Sequence, residues 1–98
     1  MSRRVGGRVE VSPGVSVENF GMNFTRYCEG PKTLTIFREL QARPRLHYLL
    51  YLADAKFWDF EGAKREVSLE DVDRIARNLR EAFSCMGVDV EIEMPSPE

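Results

Sequence analysis

The chain has 98 residues, 43% of them hydrophobic and 31% charged, and its net charge at pH 7 is −2. This length suits one small domain, and this composition is ordinary for a globular protein, so neither excludes an enzyme or a binding module. The near-neutral charge does not favour a nucleic-acid partner. No stretch approaches the roughly 20 apolar residues that span a bilayer, and no signal-like apolar run follows the N-terminal arginines. We therefore expect a single cytoplasmic domain, residues 1–98, with no membrane partner.

The first half of the chain is predicted to be a series of short strands. Residues 1–6 are basic and are expected to fray. Alternating apolar and polar residues, with Gly and Pro between the runs, predict strands at residues 8–11, 15–20, 22–28 and 33–37. In the third run Arg26 shares a face with Met22, Phe24 and Cys28, so a bulge is expected to shift the register there.

The middle of the chain is predicted to contain one further strand between two irregular segments. Residues 38–45 include Pro44, which disfavours an interior strand, so they are expected to form an exposed connection. Residues 46–53 are apolar on both faces, which indicates a central strand or an interface and leaves a homodimer possible. Residues 54–67 are interpreted as a long, partly ordered loop.

A capped amphipathic helix and a closing strand follow. Ser68 and Asp71 have the spacing of a capping box, and Gly87 suits a left-handed C-terminal residue, which predicts a helix over residues 68–86. Residues 88–94 alternate between apolar and acidic side chains, which is typical of a strand. The expected fold is α+β: an antiparallel, meander-like sheet of about five to six strands, including the closing strand, with the one major helix packed on a face.

The sequence offers little that resembles a catalytic or metal centre. Cys28 and Cys85 have no metal ligands nearby in sequence, so we expect reduced thiols, with a disulfide or a redox role as the alternative. His47 is the only histidine, and a cysteine nucleophile served by it is conceivable, but a histidine held within a sheet explains it more simply. We therefore predict no enzymatic activity, no catalytic residue, no metal and no cofactor.

Two acidic segments are the candidate partner-binding residues. In residues 58–61 large aromatic side chains alternate with carboxylates, as in a protein-binding hot spot, although the aromatic side chains could instead pack beneath the helix with the acids outward. The acids of the last strand could meet a basic partner, or could simply be a solvated face that protects an edge strand. The predicted binding residues are Trp58, Asp59, Phe60, Glu61, Asp89 and Glu91.

An arginine-rich edge supports a different hypothesis. Arginines of the N-terminus and of residues 38–45 could contact phosphates, and Tyr48 and Tyr51 could stack on bases. A solvated surface is the simpler interpretation, because acids are interspersed and the net charge is negative. RNA binding, or a role as an accessory subunit, is therefore kept only as the alternative function.

The second half of the chain resembles a known family of small proteins. The resemblance lies in residues 51–59 and 67–71, in the helix containing Ile75 and Leu79, and in residues 87–92. These segments resemble immunity proteins of bacterial polymorphic toxin systems, in particular the immunity protein seventy-four family. That family has N-terminal strands, a Trp-acid pair before a loop, a capped helix and a closing strand. The chain departs from it in residues 60–63, which lack the proline that follows the Trp-acid pair.

The resemblance implies an antitoxin-like function without catalysis. Such a protein binds a co-encoded toxin domain stoichiometrically and holds it inactive. The sequence pI of about 5.5 is compatible with a basic toxin. The resemblance therefore implies an immunity protein that neutralises its cognate toxin through a protein–protein interface.

Overall fold

A computed structural model describes residues 2–43 and 45–95 of the chain. Within these ranges the backbone forms nine strands, a short 3₁₀ turn at Leu52–Asp54 and one α-helix, α1, at Leu69–Met86. The strands are β1 Arg3–Val5, β2 Arg8–Ser12, β3 Val15–Phe20, β4 Phe24–Glu29, β5 Lys32–Gln41, β6 His47–Leu50, β7 Phe57–Phe60, β8 Ala63–Glu66 and β9 Val90–Ile92.

The strands form one mixed sheet in the order β1-β2-β3-β4-β5-β6-β9, and the β7–β8 hairpin pairs with the start of β5. All pairs are antiparallel except β6 with β9, which is parallel. The α+β class with a C-terminal helix is therefore confirmed, but the sheet has more strands than expected and is not wholly antiparallel. The parallel pair arises because α1 carries the chain back along the sheet before β9 begins.

The core lies between α1 and one face of the sheet, called here the inner face. The apolar stripe of α1 is buried, as the helical periodicity predicts. The buried sheet residues that it covers come from several strands and include Val9, Val17, Tyr27, Leu34, Ile36 and Leu50. The opposite face of the sheet, called here the outer face, carries the alternate residues of the same strands.

The N-terminal strands differ from prediction in two places. Residues 3–5 pair with β2 as β1 and are not frayed, whereas Met1 lies outside the described residues. No register shift occurs in β4, because Thr25 and Tyr27 face the core and Arg26 faces outward with Phe24. The bulge expected there is wrong; a register shift instead lies in β2, between Glu10 and Ser12.

The strand predicted over residues 33–37 continues to Gln41 as β5. Arg38 is only 5% exposed, so the predicted exposed connection is wrong for residues 38–41. Its guanidinium donates hydrogen bonds to the carbonyl oxygens of Gly21, Met22 and Phe24 in and beside the β3–β4 turn. A charged side chain can be buried here because backbone carbonyls accept hydrogen bonds from Nη1 and Nη2, although Nε has no partner among the described residues. Pro44 lies outside the described residues.

The β6 strand is central, as its two apolar faces predict, with β5 on one side and β9 on the other. It is shorter than expected, because the chain turns into the 3₁₀ helix at Leu52. The loop predicted over residues 54–67 is wrong, since most of it forms the β7–β8 hairpin. Glu61 and Gly62 both have positive φ, 51° and 81°, which is the geometry of a tight two-residue hairpin turn.

The C-terminal elements lie close to their predicted positions. Ser68 caps α1, and the capping box with Asp71 is complete in both directions. Gly87 ends the helix at φ 77°, in the left-handed region that favours glycine. The final strand is shorter than residues 88–94. In the described part of the chain, no helix has the length and apolar character needed to cross a membrane.

Candidate functional site

The structure places Trp58 in the core and not on the surface. Its side chain is 2% exposed, and its Nε1 donates a hydrogen bond of 3.4 Å to Asp71 of α1. Its ring lies 6.0 Å from the ring of Tyr27, and the Lys32 ammonium lies 4.6 Å from its centroid. Trp58 therefore packs beneath the helix, as the alternative interpretation held, and its ring is not available as an exposed anchor.

The neighbours of Trp58 are divided between internal contacts and solvent. Phe60 is half-buried and has the Arg65 guanidinium 5.1 Å from its centroid. Asp59 is exposed and lies 3.5 Å from the Lys64 ammonium across the hairpin. Glu61 occupies the exposed turn. The acidic side chains of this segment face solvent. Of its aromatic side chains, Trp58 packs in the core and Phe60 contacts Arg65 across the hairpin.

The other two predicted residues, Asp89 and Glu91, lie at the far end of the sheet. Asp89 forms an ion pair of 3.0 Å with Arg45, and Glu91 lies 3.3 Å from Nε2 of His47. Nδ1 of His47 lies 2.8 Å from the backbone oxygen of Arg45, so both ring nitrogens have structural partners. These four side chains and Val90 line a cavity of about 220 Å³.

The structure does not bring the two predicted segments together. Asp59 pairs with Thr33 near the start of β5, whereas His47, the partner of Glu91, pairs with Gln41 at its end. These positions are eight residue steps apart on β5, a distance of roughly 25 Å along an extended strand. A single interface containing all six predicted residues would therefore have to span most of the sheet.

The outer face carries a row of aromatic side chains that crosses three neighbouring strands. Phe20 of β3 lies opposite Phe24 of β4, which lies opposite Phe37 of β5. Successive ring centroids are 5.6 and 6.1 Å apart, and the ring of Tyr51 continues the series 5.5 Å beyond Phe37. We call Phe20, Phe24, Phe37 and Tyr51 the aromatic row.

The aromatic row is exposed because α1 packs against the other face of the sheet. Phe24 and Phe37 are 41% and 42% exposed, and nothing in the described part of the chain covers them. Exposing rings of this size to water is unfavourable. A contiguous apolar patch on a small protein commonly marks a surface that binds another molecule.

The Tyr51 end of the aromatic row is acidic. The Tyr51 hydroxyl donates a 2.6 Å hydrogen bond to Oε1 of Glu39, which also accepts one of 2.7 Å from Gln41. The hydrogen bond to Glu39, partial burial and the charges of Glu39, Glu93 and Asp54 raise the pKa of Tyr51 to about 12. Each of these effects disfavours the phenolate, so the hydroxyl stays protonated at neutral pH. The charges of three carboxylates thus act on the Tyr51 hydroxyl.

Sequence reasoning missed the aromatic row because its members are far apart in the chain. Strand register alone aligns Phe20, Phe24 and Phe37. The sequence nevertheless contained one signal of the exposed face. Arg26 lies two residues after Phe24 and therefore on the same face of the strand, and an arginine usually marks the face exposed to solvent. The same alternation then assigns Phe24 to the outer face without any bulge.

Comparisons with protein-family models, with curated proteins and with solved structures find no match to this chain. In the described residues, no group of three or more histidine, cysteine or acidic side chains is arranged to hold a metal ion.

Proposed function

We propose that this chain is a cytoplasmic immunity protein, which binds a cognate bacterial toxin domain stoichiometrically and neutralises it without catalysis. The observation that carries the proposal is the exposed aromatic row on the uncovered face of the sheet. Aromatic side chains supply much of the binding energy at protein interfaces, and polar residues around them exclude water. The outer face has this composition, since Glu18 and Arg26 lie beside the Phe20 end of the aromatic row and Glu39 lies beside its Tyr51 end.

The size of the aromatic row suits the centre of an interface. A buried aromatic side chain contributes roughly 150–250 Å², so four partly exposed rings present a few hundred Å² of apolar surface. A typical interface buries about 800 Å² per partner. The aromatic row therefore supplies the apolar centre, and the surrounding charged residues supply the rest.

The acidic end of the aromatic row favours a basic partner. Glu39 accepts the hydrogen bond of Tyr51, and the charges of Asp54 and Glu93 also act to raise the pKa of Tyr51. The resemblance to immunity proteins supplies the class of partner, a toxin domain. Complementary charge increases the rate of association and selects among partners. Asp89 and Glu91 lie on the same side of the sheet as Glu39 and extend the acidic surface, although each already contacts Arg45 or His47.

Local charge gives the RNA-binding alternative less support. Of the arginines on which this alternative was based, Arg3 pairs with Glu10, Arg45 pairs with Asp89, and Arg38 is buried. A neutralised arginine contributes little to the electrostatic attraction of a phosphate backbone. The acids at the Tyr51 end would also repel phosphates.

Coexpression with the neighbouring upstream reading frame, which the proposal expects to encode the toxin domain, tests the proposal. Cells that express the toxin domain should stop growing, and expression of this chain should restore growth and yield a stoichiometric complex on purification. The double variant Phe24→Ser with Phe37→Ser should lose rescue and complex. Phe57→Ser is the matched control, because Phe57 is 53% exposed but lies outside the aromatic row. Toxicity without rescue or association would overturn the immunity function.

A further inference from the structure

The two ends of the aromatic row differ in what lies over their rings. We propose that the Tyr51 end docks a basic segment of the partner protein, with an arginine or lysine side chain held over Phe37 and Tyr51 and beside Glu39. This inference rests on the proposed function, because the occupant is the protein that the chain neutralises.

The Phe20 end shows the same arrangement completed by the chain itself. The Arg26 guanidinium lies 4.3 Å from the centroid of Phe20, within the distance of about 6 Å at which a cation and a ring attract each other. Nη1 of Arg26 also lies 3.2 Å from Oε1 of Glu18. At the Phe20 end the chain itself therefore supplies the aromatic ring, the cation over it and the carboxylate that pairs with the cation.

The Tyr51 end has the rings and the carboxylate but no cation from the described residues. Glu39 accepts its hydrogen bonds from the neutral groups of Tyr51 and Gln41. No described lysine, arginine or histidine forms an ion pair with Glu39, and none lies over the rings of Phe37 or Tyr51. A cationic side chain of the partner would complete the set that the Phe20 end already has.

Charge also decides between kinds of occupant. The carboxylates of Glu39, Asp54 and Glu93 disfavour a nucleic acid at this end, because phosphates carry the same sign of charge. A second copy of the chain carries a net charge of −2 and would bring the same carboxylates on its own outer face, so its charge is not complementary. A basic protein segment has the complementary charge and can also cover the apolar rings.

A peptide titration tests the chemistry without the toxin. Hexa-arginine peptide, with hexa-citrulline as its uncharged analogue, is added to the ¹⁵N-labelled full chain at low ionic strength, where charge attraction is least screened. The arginine peptide should shift the amide resonances of Phe37, Glu39 and Tyr51 more than those of other acidic surfaces, and the citrulline peptide should not. Equal shifts at all acidic surfaces would overturn the inference.

Two substitutions of Tyr51 separate the contribution of its ring to peptide binding from that of its hydroxyl. Tyr51→Leu removes the ring and should weaken binding of the arginine peptide about five- to tenfold, whereas Tyr51→Phe keeps the ring and should bind within about twofold of the unmodified chain. Glu39→Gln provides a second test that leaves both rings in place. Asp73→Asn, on an exposed position of α1, is the matched control for loss of one acid. Unchanged affinity in both Tyr51→Leu and Glu39→Gln would overturn the inference.

The toxin complex distinguishes failure of the inference from failure of the proposed function. A complex that forms normally with both Tyr51→Leu and Glu39→Gln overturns the docking position while the immunity function stands. Peptide binding at Tyr51 in a protein that binds no toxin supports the cation site and overturns the immunity function. Two other results would overturn a basic protein as the partner. One is self-association of the chain that Phe37→Leu abolishes. The other is single-stranded RNA that shifts the same amide resonances in preference to the peptide.

Discussion

The guanidinium of Arg74 on α1 binds the carboxylate of Glu29 on β4 through two parallel hydrogen bonds. Nε lies 2.8 Å from Oε2 of Glu29, and Nη2 lies 2.9 Å from Oε1. Such a paired contact fixes the orientation of both side chains as well as their distance. It connects positions 45 residues apart in sequence, so it sets how the helix lies against the sheet.

Arg74 belongs to a larger polar network between α1 and the inner face. It also donates a 2.8 Å hydrogen bond to Asp71, which accepts one from Trp58. Glu29 accepts a hydrogen bond from the hydroxyl of Tyr27. Burial acts to raise the pKa of Glu29, but the hydrogen bonds from Arg74 and Tyr27 outweigh it, and the pKa is lowered. The network thus favours the ionised form of this carboxyl.

The first prediction is a loss of stability in acid that depends on Asp71. Burial acts to raise its pKa, but hydrogen bonds from Arg74, Ser68 and Trp58 lower it from 3.8 to about 2. A carboxyl with a lower pKa in the folded chain stabilises it above the unfolded pKa, and this stabilisation is lost as the pH falls. The free energy of unfolding should therefore fall by about 1–2 kcal/mol between about pH 4 and pH 2 through this group, as measured by urea unfolding.

Two variants check the assignment of this pH dependence. Asp71→Asn should be less stable than the unmodified chain near pH 6, and the difference should shrink as the pH approaches 2. Asp73→Asn, at an exposed position on the same helix, should keep the acid sensitivity of the unmodified chain. A difference for Asp71→Asn that stays constant from pH 6 to pH 2 would contradict the prediction.

The second prediction concerns Trp58, which the sequence suggested as a binding residue. Because its side chain is 2% exposed, Trp58→Ala should lower the free energy of unfolding by about 3–5 kcal/mol. Asp59→Lys changes an exposed neighbour and should alter stability by less than about 0.5 kcal/mol. Urea unfolding of the two variants provides the test. Normal stability with weakened toxin binding in Trp58→Ala would show that the ring is a surface anchor after all.

The third prediction concerns the buried arginine of β5. Arg38→Met should cost about 2–3 kcal/mol of stability, because it leaves the carbonyl oxygens of Gly21, Met22 and Phe24 without their donors. Arg43→Met is the control, since Arg43 is exposed. Hydrogen exchange should also become faster in the β3–β4 turn of the Arg38 variant alone. Equal stability of the two variants would mean that the guanidinium does not hold this turn.

The fourth prediction separates binding from folding at the aromatic row. Phe24→Ser and Phe37→Ser should each cost only about 1 kcal/mol of stability, because both rings are partly exposed and the variants lose mainly contacts with neighbouring rings. Each should nevertheless weaken the toxin complex by about tenfold or more, as expected for an aromatic side chain at the centre of an interface. Isothermal titration and urea unfolding of the same preparations measure the two effects. Weakened binding that merely follows lost stability would exclude a direct contact.

Local sequence determined the elements whose signals lie within a few residues. The capping box of Ser68 and Asp71, the apolar stripe of α1 and the glycine at position 87 define the helix, because the interactions that begin and end a helix are between near neighbours. Alternation likewise predicted β3 at residues 15–20, which are the bounds the structure gives it. The α+β class followed from this order of strands and helix.

Only the tertiary structure decided the remaining features, because they depend on residues that meet across the sheet. Arg38 extends β5 because its guanidinium binds backbone carbonyls of a turn about 16 residues earlier in the chain. The parallel pairing of β9 with β6 depends on the position along the sheet at which the helix ends. The aromatic row is a product of register, since a strand displaced by one residue would turn its rings into the core. The exposed surface that we propose as the binding site therefore exists only in the folded sheet.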